Sequence, residues 1–223
     1  MTSTFTGFPP ELFTFFDGLA ADNTTDYWHA RKAVWESQVR APMRALLAEL
    51  GDEFGPLRMF RPNRDVRFSK DKSPYKLWAG ATSETRAVGG IGYHLEVSAG
   101  GLVVGFGAML FASDQLARFR AALDNDLTGT AFETISDDLA AASLPLTSGA
   151  EPPLKTTPRG YLADHPRAGL LRWKGAAVVQ QHPTAHWMHT PEPLNRVRHI
   201  WRATNTLKHW LDTNVGPSDK PAR

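Results

Sequence analysis

The stretch from Ile91 to Ala99 constrains this chain more than any other. Ile91, Tyr93, Leu95 and Val97 alternate with Gly92, His94, Glu96 and Ser98, the period of two that sets one strand face on a core and the other toward water. Gly100-Gly101 then offers a tight turn, and Leu102 to Leu110 returns as a more apolar strand, so residues 91–110 read as a β-hairpin. The other strand candidates, Leu57 to Phe60 and Ala176 to Gln180, are not spaced from it by regular crossover helices. An antiparallel sheet is therefore favoured over a doubly wound parallel one.

Helical periodicity fills much of the rest. A first helix covers about Pro9 to Ala21, apolar at Leu12, Phe15, Phe16 and Leu19. Thr24 can cap a longer stretch carrying Trp28, Trp35, Val39, Met43, Leu46 and Leu50, with Pro42 expected to kink or restart it and Gly51 to end it. Ser113 opens a helix with Leu116, Phe119 and Leu123 on one face, and Thr130 followed by Glu133 reads as a capping box for the next. Proline, threonine and glycine from Leu144 to Gly160 predict a surface excursion. Thr190-Pro191 opens a last helix with Leu194, Val197, Trp201, Leu207 and Leu211 on its apolar face, ending at Gly216-Pro217.

The prediction is an α+β fold: an antiparallel sheet with a central hairpin, packed by several helices. No composition break divides the 223 residues, so one domain is expected. Its parts are N-terminal helices at 9–51, a basic segment at 61–76, the hairpin at 91–110, helices at 113–142 and a C-terminal helix at 191–214.

Composition matters mainly for what it removes. With 0 cysteines, disulfides, thiolate metal sites and a cysteine nucleophile are excluded, and redox chemistry would need a bound cofactor. No cofactor is predicted. No apolar run approaches a membrane span, and residues 1–10 lack the basic start and apolar core of a signal peptide, so the chain reads as cytoplasmic with no membrane partner.

The net charge of +2 is small, but its distribution is uneven. Arg61, Arg64, Arg67, Lys70, Lys72 and Lys76 face only Asp65 and Asp71 within 61–76, a local +4. Two prolines and the turn-forming Asn63, Asp65, Ser69 and Ser73 constrain the segment. Forked guanidinium groups suit bidentate phosphate or carboxylate recognition, and neighbouring aspartates can fix their planes beforehand. The candidate ligand-binding residues are thus Arg61, Asn63, Arg64, Arg67, Lys70, Lys72 and Lys76. Asp65, Asp71, Tyr75 and His94 are the candidates for orienting a ligand or moving protons. The competing interpretation is a solvated loop whose arginines pair with the domain's own carboxylates.

The run R-P-N-R-D-V-R-F-S-K-D-K-S-P-Y-K from Arg61 to Lys76 resembles the signature of the bacterial family known as domain of unknown function 2461. Val39-Arg40-Ala41-Pro42, the hairpin, Pro158-Arg159-Gly160-Tyr161 and the tryptophan-containing C-terminal helix are similar to that family's layout, nearly end to end. The second hairpin strand departs from it, since relatives tend to carry more glycine than Gly105-Phe106-Gly107. The resemblance implies no established activity, substrate or catalytic residue.

Other patterns carry less. His182, His186 and His189 have i, i+4, i+7 spacing, but Pro183 and Pro191 leave at most a short helix and no carboxylate matches, so solvated histidines are expected and no metal is assigned. Gly89-Gly90-Ile91-Gly92 precedes a strand instead of opening a helix, so a turn explains it. Lys72-Ser73 lacks the upstream glycines of a P-loop. Gly105 and Gly107 read as close-packing positions.

Three functions follow, in order of preference. The first is a site for a small phosphorylated or carboxylated ligand on the basic segment, with or without catalysis. The second is nucleic-acid binding, with Phe68, Tyr75 or Trp78 stacking on bases. The third is a non-catalytic module docking an acidic protein. Oligomeric state is left open.

Overall fold

The structure, a computed structural model, describes residues 4–67, 69–83 and 89–220. Its strands are β1 (Leu57–Met59), β2 (Trp78–Ser83), β3 (Gly92–Ser98), β4 (Gly101–Ala108), β5 (Leu146–Thr147) and β6 (Ala176–His182). They form one sheet in the order β1-β2-β3-β4-β6-β5. The pairs β1/β2, β2/β3 and β5/β6 are antiparallel. The hairpin β3/β4 occupies the centre, and the α+β antiparallel class predicted from periodicity is the one observed. Tyr93, Leu95 and Val97 are buried on one face of β3, while His94 and Glu96 are half-exposed on the other.

Strand β2 has no counterpart in the sequence reading. Its core side is built from small residues, Ala79 and Ala81, around Gly80. A Cβ at Gly80 would stand 2.6 Å from the Leu95 carbonyl oxygen, so glycine is required for β2 to approach β3.

The described residues fall into two compact units. The first is drawn from Met1–Glu84, His94–Val104 and Gln181–His199. Helix α1 (Pro10–Ala21) buries Leu12, Phe13, Phe15, Phe16 and Leu19. Thr24 caps α2 (Thr25–Val34), its hydroxyl accepting the Tyr27 N–H at 3.2 Å. The helix restarts at Pro42, one of the two expected outcomes: the chain widens into a π-helical turn over Trp35–Arg40 and α3 (Ala41–Phe54) then carries the proline in its first turn. The Ala41 N–H reaches back five residues to Glu36 O. Pro42 has no N–H to offer the preceding turn, and the widened turn absorbs that loss within a continuous rod. Gly51 does not end the rod. It runs to Phe54 and stops at Gly55, whose φ of 82° is a backbone conformation that favours glycine. The rings of Phe15, Trp28 and Trp35 pack together, Trp28 and Trp35 at 4.9 Å.

The second unit is drawn from Thr85–Tyr93, Gly105–Gln180 and Ile200–Arg223. It contains α4 (Ser113–Asp124), α5 (Asp126–Ala141), α6 (Ala168–Leu171) and α8 (Asn205–Asn214), with the ring cluster Phe111, Phe119, Phe132 and Trp210. The expected Thr130/Glu133 capping box is not the start of α5. Asn125 caps it, accepting from Leu127 N at 3.1 Å and Thr128 N at 3.2 Å, and Thr130 lies inside the helix. Arg167, 5% exposed, donates to Leu123 O at 2.5 Å and to Asp126 at 2.8 Å. It is a structural arginine fully used by its own unit.

The predicted last helix is two, α7 (Glu192–Ala203) and α8. They break at buried Thr204, whose hydroxyl donates to Trp201 O at 2.8 Å and so competes with helix continuation. Gly105 and Gly107 do pack closely: Trp201 Nε1 donates to Gly105 O at 3.0 Å, and a Cβ at Gly107 would collide with Ala176 O on β6. Among the described residues no helix is long and apolar enough to cross a membrane.

Candidate anion-binding groove

The segment 61–76 folds back on itself. Asn63 and Tyr75 form an antiparallel bridge, Arg64 N donates to Pro74 O at 2.8 Å, and Lys76 N donates to Pro62 O at 2.8 Å. Side chains close the loop further. Arg64 pairs with Asp71, and Arg67 pairs with Asp65 at 2.6 Å. Ser73 donates to Asp71 Oδ1 through both its amide, at 2.9 Å, and its hydroxyl, at 2.6 Å. Lys72 Nζ donates to Val66 O at 2.9 Å. Lys76 Nζ donates to Arg61 O at 2.7 Å and to Asn63 O, gathering two backbone carbonyls at the segment's base.

The electrostatics record these contacts. The Arg67 side-chain hydrogen bond holds the Asp65 carboxyl at about 2, below its ordinary 3.8. Ser73 first, then Arg64, holds Asp71 well below the usual carboxylate range. Burial, followed by the charges of Arg61 and Arg64, lowers Lys76.

The loop is pinned to the helical rod. Asn23, just before α2, donates to Tyr75 O at 3.0 Å and accepts Tyr75 N–H at 3.1 Å. The buried Tyr75 ring stacks on Trp28 with centroids 4.3 Å apart and planes 10° from parallel. Tyr75 therefore serves as an anchor. Asp65 and Asp71 are held by the arginines and the serine of their own loop. His94 stands apart from them, its Nε2 2.8 Å from Glu96 Oε1 and its ring 6.1 Å from Phe60.

Among the predicted ligand-binding residues, Arg61 lines a large concavity. The described structure places it beside a groove of about 760 Å³ formed by α2, the π-helical turn, α3 and the chain from Leu57 to Pro62. Lys32, Arg40, Arg44 and Arg58 line the same groove, over buried Trp28, Trp35 and Leu47. Glu36 is its single carboxylate among the described residues, held by Arg40 Nη1 at 2.8 and 2.9 Å. Lys32, Arg44, Arg58 and Arg61 are exposed and make no ion pair among the described residues. Lys70 is likewise unpaired but lies outside the groove lining. Phe68, a proposed stacking residue, falls outside the described residues.

Lys32, Arg40 and Arg44 were missed by a reading that weighed charge density along the chain. Their signal was periodic: 32, 36, 40 and 44 are spaced by four and follow one side of a helix. The three histidines do not share a helical face, since His182 ends β6 while His186–His189 is a single 3₁₀ turn. His189 Nδ1 instead meets Phe8 O at 2.8 Å, and no group of three potential metal ligands occurs among the described residues.

Fold and groove together define an α+β protein with a cationic concavity along a π-bulged helical rod. The chain belongs to the family described as conserved hypothetical protein (DUF2461), whose model matches residues 11–210. No curated protein and no solved structure matches it.

Proposed function

We propose that this protein binds a small phosphorylated or carboxylated ligand in the groove, with Arg61 joining the signature segment to the cations of the helical rod. The observation that carries this is the set Lys32, Arg44, Arg58 and Arg61: four cations that have no carboxylate partner among the described residues, around one concavity of about 760 Å³. That volume lies in the range of small-ligand sites. Like charges gathered without partners repel, and a bound anion relieves that repulsion while gaining charge-assisted hydrogen bonds.

The rest of the segment acts as a frame in this proposal. Arg64 and Arg67 are spent on Asp71 and Asp65, and Lys76 fixes the Arg61 carbonyl. The nucleic-acid alternative is weakened by Tyr75, whose ring is buried against Trp28 and offers no face to a base.

A thermal-shift panel of inorganic phosphate, nucleotides and di- and tricarboxylates tests the proposal. A ligand at about 100 times its Kd stabilises the fold by about 2.7 kcal/mol, or about 5–10 °C for a chain this size. The Arg44→Ala, Arg61→Ala double variant should lose that shift while keeping its unliganded melting temperature. No shift across the panel would overturn the proposal.

A further inference from the structure

The groove's cations are strung along its length and not gathered at one point. Lys32 and Arg44 are twelve residues apart on a continuous helical rod, about 18 Å at the rise of an α-helix. Arg58 and Arg61 come from the facing chain around β1. A single phosphate or carboxylate engages guanidinium groups only through its own oxygens, at about 2.7–2.9 Å. One such anion offers few oxygens at a single point, whereas a chain of phosphates offers acceptors along the whole line of cations.

The charge to be balanced is also dense. Five cations against Glu36 give the groove a net +4 within about 760 Å³. An acidic peptide carries one charge per residue and brings backbone and side-chain volume with each. A phosphate chain carries at least one per phosphorus and little else, and it extends in one dimension.

Resting on the anion-site proposal above, we infer that the groove takes a linear oligophosphate, either free or as the tail of a nucleotide. The chain lies along the rod and is clamped between Lys32, Arg40 and Arg44 on one side and Arg58 and Arg61 on the other. Recognition is by side-chain forks along the chain, and Glu36 sets the lower limit on ligand charge, because a weak anion does not compete with it for Arg40.

Isothermal titration calorimetry of the full chain at fixed ionic strength tests this with orthophosphate, pyrophosphate, tripolyphosphate and ATP. A short oligothymidylate and an oligoglutamate peptide serve as the competing classes. Affinity should rise at least about tenfold at each step from one phosphate to two to three, as each step adds charge-assisted contacts. Arg44→Ala and Arg61→Ala should each flatten that rise, whereas Lys208→Ala, removing an exposed cation paired with Asp212 on α8, should leave it intact. Equal binding of ATP and tripolyphosphate identifies the phosphate chain itself as the ligand feature, and tighter binding of ATP identifies a nucleotide tail. Equal affinity for orthophosphate and tripolyphosphate overturns the inference but leaves the anion site standing. Equal loss in Lys208→Ala, or tighter binding of the oligonucleotide or peptide, also overturns it. Absence of binding by every anion removes both.

Discussion

Asn23 is a short side chain that holds a distant segment by two hydrogen bonds, which makes Asn23→Ala an informative perturbation. In the wild type its amide donates to Tyr75 O at 3.0 Å and accepts from Tyr75 N at 3.1 Å, both part-buried. Each such bond contributes about 0.5–1.5 kcal/mol net, and the peptide groups left behind are partly shielded from water, so the loss should be about 2 kcal/mol. For a chain of this size that lowers the melting temperature by about 4–8 °C. Tyr75 would still stack on Trp28, so the core should survive. Looser attachment of the loop moves Arg61 relative to the groove, and anion affinity should fall with stability. Asn23→Asp keeps the acceptor and loses the donor, and should sit between wild type and alanine. Urea denaturation with calorimetric titration reads both quantities. A variant within about 0.3 kcal/mol of wild type, with unchanged affinity, would show that this clamp neither holds the loop nor presents Arg61.

Two further outcomes follow from the same contacts. Asp65 and Asp71 titrate below their ordinary 3.8 in the folded chain, Asp65 at about 2. Unfolding therefore takes up protons in acid, and the stability they contribute is present above about pH 4 and lost as pH falls toward 2. Urea midpoints across that window should decline less steeply in Asp65→Asn and Asp71→Asn than in wild type, and an unchanged slope would contradict the pairing. Glu36→Gln removes a negative charge from the groove and releases Arg40, so phosphate should bind about fivefold tighter by calorimetry.

Much of the fold was legible because its strongest signals are local. The period of two in Tyr93, Leu95 and Val97 is a one-dimensional pattern that survives into the core of β3. The Thr24 cap is a contact across three residues. Strand β2 was illegible for the opposite reason: Ala79, Gly80 and Ala81 have no apolar alternation, and their suitability depends on the Leu95 backbone lying against them. Thr130 and Glu133 fit a capping motif, yet Asn125 took the role by accepting two amides. The single C-terminal helix failed at Thr204, where one buried hydroxyl bonded to Trp201 O decides the matter.

The candidate site divides along similar lines. Charge density in the sequence drew attention to Arg61 to Lys76, but density does not say which cations are already paired. Arg64 and Asp71 lie seven residues apart, and only the folded loop brings them together. The groove needs the rod and the chain around β1 to face each other, so Arg40, Arg44 and Arg58 could join Arg61 only in three dimensions.

The central claim is that the groove, and not the arginines inside the loop, receives the anion. Side-chain Nε–Hε NMR of the arginines during a phosphate or tripolyphosphate titration distinguishes them residue by residue. The resonances of Arg44, Arg58 and Arg61 should move together and saturate, with those of Arg64 and Arg67 held by Asp71 and Asp65. Saturating shifts confined to Arg64 and Arg67, with the groove arginines unmoved, would contradict it.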